Sequence, residues 1–215
     1  MKIGILWDLD GTLLDTLQDL ADGTNYALGR HGLPERTVDE VRRFVGNGAR
    51  NLIVRAVEGR ADPEEVLKTF RTYYNAHCQE KTAPYPGIMG ALAELGKCYP
   101  MAVVSNKPDS AVKPLCKQYF PSLYARGESA DCPRKPAPDM VYKAMEAIGV
   151  EKCIYVGDSE VDIATAKNAG VPCLSVLWGF RDRKVLMEAG AQHFCEKAEK
   201  LPEMIEKIAG EVYGK

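Results

Sequence analysis

The sequence predicts an α/β fold: a Rossmann-like parallel sheet core with an inserted all-helical cap domain. Three observations carry this expectation. Short apolar runs of strand length recur at Ile3–Trp7, 101–104, 154–156 and 173–177, the pattern of strands buried on both faces. The later runs are each followed by turn residues and then a helical stretch, such as 141–148 and Glu160–Ala169. That alternation requires crossover connections and parallel strands. Between residues 15 and 81 the periodicity is helical throughout, with no strand-like run.

The elements follow in order. Ile3-Gly4-Ile5-Leu6-Trp7 stops at Asp8, as a buried strand ends where carboxylates begin. Leu17, Leu20, Thr24 and Leu28 share one helical face, and Gly32-Leu33-Pro34 closes that helix. Thr37-Val38-Asp39-Glu40 has the form of a capping box. Asp62-Pro63-Glu64-Glu65 supplies an N-cap, a proline at the first helical position and acids in the first turn. The expected division is therefore 1–14 with 82–215 as the α/β core, and 15–81 as an inserted helical module.

Composition narrows the class. At 215 residues and 23.7 kDa, a chain buries roughly 70% of its unfolded surface without needing disulfides or a structural metal. Apolar residues at 46% and charged residues at 27% match an ordinary globular protein. Twenty-eight Lys+Arg against 30 Asp+Glu lack the positive excess that draws a protein to nucleic acid or an anionic membrane. The seven cysteines are scattered, with no CxxC pair, which suits small apolar fillers in a reducing compartment. The first apolar run is too short for a signal peptide, and no stretch has the length to cross a bilayer. The expectation is a cytoplasmic protein.

Ligands of an open parallel sheet bind beyond the carboxyl ends of its strands. Asp8-Leu9-Asp10-Gly11-Thr12 follows the first strand, and Ser105-Asn106-Lys107 follows the second. Arg134-Lys135-Pro136 precedes the helix near Val141, and Gly157-Asp158-Ser159-Glu160-Val161-Asp162 follows the strand ending at Val156. Asp8 and Asp10 at one strand end need a cation or a shared proton. With Asp158 and Asp162 they point to a hard, oxygen-preferring ion, and Mg²⁺ fits best. Ser105 adds a hydroxyl, Lys135 a fixed positive charge, and the Gly11 turn backbone N–H donors. Together these suit the oxygens of a transferring phosphoryl group.

These four motifs, in this order and across essentially the whole chain, resemble the haloacid dehalogenase superfamily in its phosphatase branch with a helical cap. The resemblance implies that Asp8 is the nucleophile, forming an aspartyl-phosphate, and that Asp10 is the general acid and then the base. It implies Mg²⁺ held by the Asp8 side chain, the Asp10 main-chain carbonyl and Asp158, with Asp162 bracing that shell. Ser105 binds phosphate, Lys135 offsets charge, and Gly11, Thr12 and Asn106 complete the substrate-binding set. The dehalogenases of the superfamily carry a different residue in place of Asp10, because halide leaves without a proton, so an acid here favours phosphoryl transfer.

For substrate, 45–52, 85–87 and 177–181 resemble the corresponding loops of phosphoglycolate phosphatases. Arg50 then has two readings: a bidentate partner for a substrate carboxylate, or a solvated arginine at a helix start. The implied partner is a small phosphorylated metabolite, with 2-phosphoglycolate favoured. Hydrolysis of pyrophosphate or a sugar phosphate, a phosphomutase, and a silent phospho-ligand-binding module are the alternatives. Arg181-Asp182-Arg183-Lys184 reads as a solvated face, His31 as a helix-end cation, His77 as a surface or packing residue, and His193 as a strand residue.

Overall fold

The computed structural model describes residues 2–214. The chain divides into two compact units: residues up to Leu14 together with Pro84 onward, and Asp15–Ala83.

The first unit is built on six parallel strands in the order β5-β4-β1-β6-β7-β8. These are β1 (Ile3–Trp7), β4 (Met101–Pro108), β5 (Tyr124–Glu128), β6 (Lys152–Gly157), β7 (Cys173–Val176) and β8 (His193–Cys195). Two further short strands, β2 (Leu14–Asp15) and β3 (Ala83–Pro84), pair with each other where the chain passes between the units. The central β1 is buried along its whole length and is flanked in register by Met101 opposite Ile5 and Val156 opposite Trp7.

Side chains alternate across the sheet. Ile3, Ile5, Trp7, Val103, Ile154, Val156, Leu174 and Val176 face one apolar cluster. That cluster is closed by α5 (Ile88–Leu95), α6 (Asp109–Tyr119) and the helix Leu201–Tyr213. Leu6, Ala102, Val104, Cys153 and Tyr155 face the other, closed by α7 (Asp139–Ala147) and α8 (Glu160–Ala169). A sheet covered on both faces leaves its carboxyl edge as the place where polar groups can gather.

The second unit holds α1 (Leu17–Arg30), α2 (Val38–Phe44), α3 (Gly48–Val57) and α4 (Pro63–His77). Thr37 and Glu40 form the capping box of α2, and Asp62 caps α4 with Pro63 at its first position. Leu20, Thr24 and Leu28 of α1 are buried, as are Val66, Phe70 and Tyr74 of α4. The side chain of buried Arg36 crosses to α3, donating to the Ala56 carbonyl at 2.9 and 2.7 Å and pairing with Glu58 at 2.8 Å. Asp19 accepts from the Lys81 and Thr82 N–H groups and from the Thr82 hydroxyl at 2.8–3.1 Å, tying the first turn of α1 to the returning chain.

Two expectations are corrected here, and one strand carries no signal in the sequence. Ser105-Asn106-Lys107 does not follow its strand: β4 runs on to Pro108, with a register shift against β5 between Val104 and Pro108. The polar triplet hides the continuation, because strand identity was read from apolar content. The strand Tyr124–Glu128 carries too little apolar character to register in the sequence, being an edge strand with an exposed Tyr124. Arg181 is not on a solvated face: its side chain is 10% exposed and pairs with Glu160 at 2.8 Å. Among the described residues no helix is long and apolar enough to cross a membrane.

Candidate active site

Asp8 and Asp158 stand just beyond the ends of adjacent strands. Trp7 is level with Val156, and the Asp8 N–H donates to the Val156 carbonyl at 2.9 Å. Asp162 is the third residue of α8, and Lys135 arrives in the loop before α7. All four are buried.

The Lys135 ammonium has three acceptors for its three protons: Asp8 Oδ1 at 2.7 Å, Asp162 Oδ1 at 2.8 Å and the Tyr155 hydroxyl oxygen at 3.0 Å. The Tyr155 hydroxyl in turn donates to Asp162 Oδ1 at 3.2 Å. The other Asp162 oxygen accepts from the Ser159 N–H at 3.1 Å and its hydroxyl at 2.6 Å, so one carboxylate caps α8 and anchors the lysine. Asn106 fixes the lysine from behind: its amide donates to the Lys135 carbonyl at 3.0 Å and its Oδ1 accepts from the Lys135 N–H at 2.8 Å.

Asp158 accepts from the Phe180 N–H at 2.6 Å and from the Thr12 hydroxyl at 3.5 Å. Two glycines permit this approach. A Cβ on Gly11, whose φ is +87°, would lie 2.3 Å from Asp158 Oδ2, and one on Gly179 would lie 2.4 Å from Asp158 Cβ. Oxygen atoms of Asp8, Asp158 and Asp162 all lie within 4.8 Å of one another. Asp10 stands apart, with its Oδ1 accepting from Lys107 Nζ at 2.8 Å.

The electrostatics follow from burial. The Asp8 carboxyl is pushed up to about 7, first by loss of solvent and then by the Asp162 charge, with Lys135 pulling the other way. Asp158 is raised well above the usual carboxylate range by burial and by Asp162 and Asp8, against the stabilising Phe180 N–H. The Lys135 ammonium is raised well above its ordinary value because the Asp162 and Asp8 charges outweigh its own desolvation. Four carboxylates (Asp8, Asp10, Asp158, Asp162) face two ammonium groups (Lys107, Lys135), a formal deficit of two positive charges. Oxygen donors with that deficit fit a divalent cation.

The sequence-predicted residues fare differently. Asp8, Lys135, Asp158 and Asp162 converge, and Asn106 braces them. Ser105 is buried, and its hydroxyl oxygen accepts from the Lys107 N–H at 3.1 Å, leaving its own proton for another acceptor. The Asp10 carboxylate is outside the three-carboxylate cluster, so any part in holding a cation falls to its main chain. The Gly11 N–H is not a donor for a ligand, because it donates to the Leu14 carbonyl at 2.9 Å. Gly11 instead contributes the missing Cβ. Thr12 is fully buried, its hydroxyl turned to Asp158 and its carbonyl accepting from Trp178 Nε1 at 3.0 Å. Arg50 belongs to the helical unit and pairs with Glu64 at 2.6 Å, both about half exposed.

Sequence reasoning missed Tyr155, Lys107 and Ser159. Tyr155 was readable in part, since a tyrosine inside a buried strand needs a partner for its hydroxyl. Lys107 was readable only as a charge beside Ser105 and Asn106.

Three buried carboxylates that could hold a cation, with a buried lysine among them, stand at the carboxyl edge of a doubly covered parallel sheet, where α/β enzymes place their sites. The model of the haloacid dehalogenase-like hydrolases matches residues 5–176. The chain belongs to that family. It is 34% identical to the phosphoglycolate phosphatase of Mesorhizobium japonicum, with 96% of this chain and 97% of that one covered. It is 35% identical to the phosphoglycolate phosphatase of Aquifex aeolicus over 82% of this chain and 85% of that one. A crystal structure from Lactobacillus delbrueckii subsp. bulgaricus superposes with a TM-score of 0.89 at 38% identity, covering 95% of this chain and 99% of that one.

Proposed function

We propose that the protein hydrolyses phosphate monoesters with Mg²⁺, through a phosphorylated Asp8, and that 2-phosphoglycolate is its favoured substrate. The observation that carries this reading is the contrast between two carboxylates two residues apart. Asp8 sits inside the buried cluster against Lys135, whereas Asp10 sits outside it against Lys107, with 15% of its side chain exposed. Different surroundings are how one site gives two carboxylates two tasks.

In the first step an Asp8 oxygen attacks phosphorus as the bond from phosphorus to the ester oxygen breaks. Asp10 gives its proton to that departing oxygen. In the second step Asp10, now a carboxylate, takes a proton from water while the water oxygen attacks phosphorus. The bond to Asp8 breaks, and inorganic phosphate and free Asp8 result. Lys135 offsets negative charge on Asp8 and on the phosphoryl oxygens, and the Ser105 hydroxyl donates to one of those oxygens. Asp8 and Asp158, with the Asp10 carbonyl, would hold Mg²⁺ while Asp162 braces them through Ser159 and Lys135. When bound, the ion supplies positive charge to the phosphoryl oxygens.

The named relatives support phosphoglycolate as substrate. Arg50 remains the proposed reader of its carboxylate, exchanging Glu64 for substrate. The helical residues 15–81 are proposed to act as the cap that selects among esters. The test is phosphate release from 2-phosphoglycolate, pyrophosphate, hexose phosphates and nucleotides, with Mg²⁺ and with chelator. A kcat/KM for 2-phosphoglycolate well above the others, abolished by chelator and by Asp8→Asn in a folded variant, is expected. A flat profile discards the substrate, and turnover by folded Asp8→Asn discards the nucleophile.

A further inference from the structure

Lys107 is buried, and its ammonium lies 2.8 Å from Asp10 Oδ1. The contact is built rather than incidental. The Ser105 hydroxyl accepts from the Lys107 N–H at 3.1 Å and so fixes the lysine backbone from two residues away. On the neighbouring strand, a Cβ at Gly127 would lie 2.6 Å from the Lys107 carbonyl oxygen, so β5 can approach this point only because residue 127 has no side chain. The register shift of β4 against β5 falls in the same stretch. Three local features thus converge on the placement of one ammonium group.

What that placement does follows from the site's charge. Asp10 stands two residues from Asp8, with its carboxylate outside the three that together fit a divalent cation. A carboxylate so close to a cation is drawn to it as one more ligand, and an oxygen bound there is no longer free to exchange a proton with a leaving group. A buried ammonium at 2.8 Å is a competing partner on the other side.

We propose that Lys107 is a positioning residue, which holds the Asp10 carboxyl clear of the cation site and aimed for proton exchange. This rests on the reading of Asp10 as the acid and base of phosphomonoester hydrolysis. The effect of Lys107 runs through the orientation of Asp10, whose Oδ1 it contacts.

The experiment compares two substrates on the Mg²⁺-loaded enzyme: 2-phosphoglycolate, whose alkoxide leaves only when protonated, and p-nitrophenyl phosphate, whose phenolate leaves without a proton. Phosphorylation of Asp8 is followed in single turnover, so that the later water attack does not mask the first step. In Lys107→Met the first step with 2-phosphoglycolate is expected to fall about a hundredfold, the lower range for loss of a positioned general acid. With p-nitrophenyl phosphate it is expected to change less than about threefold, on the same principle. Lys107→Arg, which keeps the charge, is expected to recover most of the 2-phosphoglycolate rate. Mg²⁺ affinity, read by titration calorimetry without substrate, is expected to tighten in Lys107→Met as the released Asp10 carboxylate reaches the ion, and an unchanged affinity would overturn the placement clear of the cation site. Equal losses on both substrates, in a variant with wild-type circular dichroism, would overturn the proposal by showing a general structural role. So would an unchanged 2-phosphoglycolate rate. If Lys107→Met does not fold, Lys107→Arg decides: a hundredfold loss confined to 2-phosphoglycolate there, with charge retained, refutes charge-based positioning. Absence of Mg²⁺-dependent turnover in the wild-type protein fails the hydrolase reading itself and is seen before any variant is made.

Discussion

Replacing Lys135 by methionine tests the charge balance of the site most directly. The methionine keeps most of the stem volume, so the change removes the ammonium rather than opening a cavity. The Lys135 side chain is 3% exposed, and its ammonium serves Asp8 at 2.7 Å, Asp162 at 2.8 Å and Tyr155 at 3.0 Å. Its loss leaves two buried carboxylates facing each other with Asp158 close by. Breaking a buried ion pair from one side costs about 3–5 kcal/mol. At this chain length about 2–4 °C accompanies each kcal/mol, giving a drop of roughly 6–20 °C. The assay is thermal unfolding at pH 8 with chelator, followed by circular dichroism, for wild type and variant. Added Mg²⁺ should return part of the loss, since a cation among Asp8, Asp158 and Asp162 replaces some of the missing charge. Lys135→Met combined with Asp162→Asn should be more stable than Lys135→Met alone in chelator. A shift under about 2 °C for Lys135→Met in chelator would refute the reasoning, since it would correspond to no more than about 1 kcal/mol.

Two further outcomes follow from the same geometry. The folded-state Asp8 carboxyl is raised from 3.8 to about 7, so folding takes up a proton between those values. The stability this contributes is fully present below 3.8 and is lost as pH rises through about 7. Metal-free protein should therefore melt at a lower temperature at pH 7.5 than at pH 5.5, and saturating Mg²⁺ should flatten that slope; a metal-free melting temperature that rises over this range would contradict it. Gly179→Ala places a Cβ 2.4 Å from both Asp158 Cβ and the Gly11 carbonyl oxygen, so Asp158 must move. Divalent-cation affinity, read by titration calorimetry, should weaken by about 10–100-fold, as for other changes that displace a ligand's support; wild-type affinity in a folded variant would show that the loops yield without moving Asp158.

The parts of the site that were legible in the sequence are those where a residue's chemistry conflicts with its neighbourhood. Asp8 and Asp10 stand out because an apolar strand ends in acids, and Asp158 and Asp162 because a second one does. The helix caps at Thr37 and Asp62 were legible for a related reason, since capping is a local interaction between residues two or three apart. The rest depends on which distant segments meet. Nothing near Lys135 in sequence indicates that its protons go to residues 8, 155 and 162, and the Asn106 side chain bonds the backbone of a residue 29 positions away. Gly11 shows how the distinction misleads. Its place after two acids suggested an N–H donor for phosphate, yet that N–H closes the local turn onto Leu14. The need for glycine comes from Asp158, 147 residues later, whose carboxylate occupies the space a Cβ would fill. One residue can therefore be identified correctly as part of a site from its local motif while its physical task is set by a contact the motif does not contain. Lys107 is the converse case: its task concerns Asp10, 97 residues earlier, and the sequence marked it only as a charge at the end of a polar triplet.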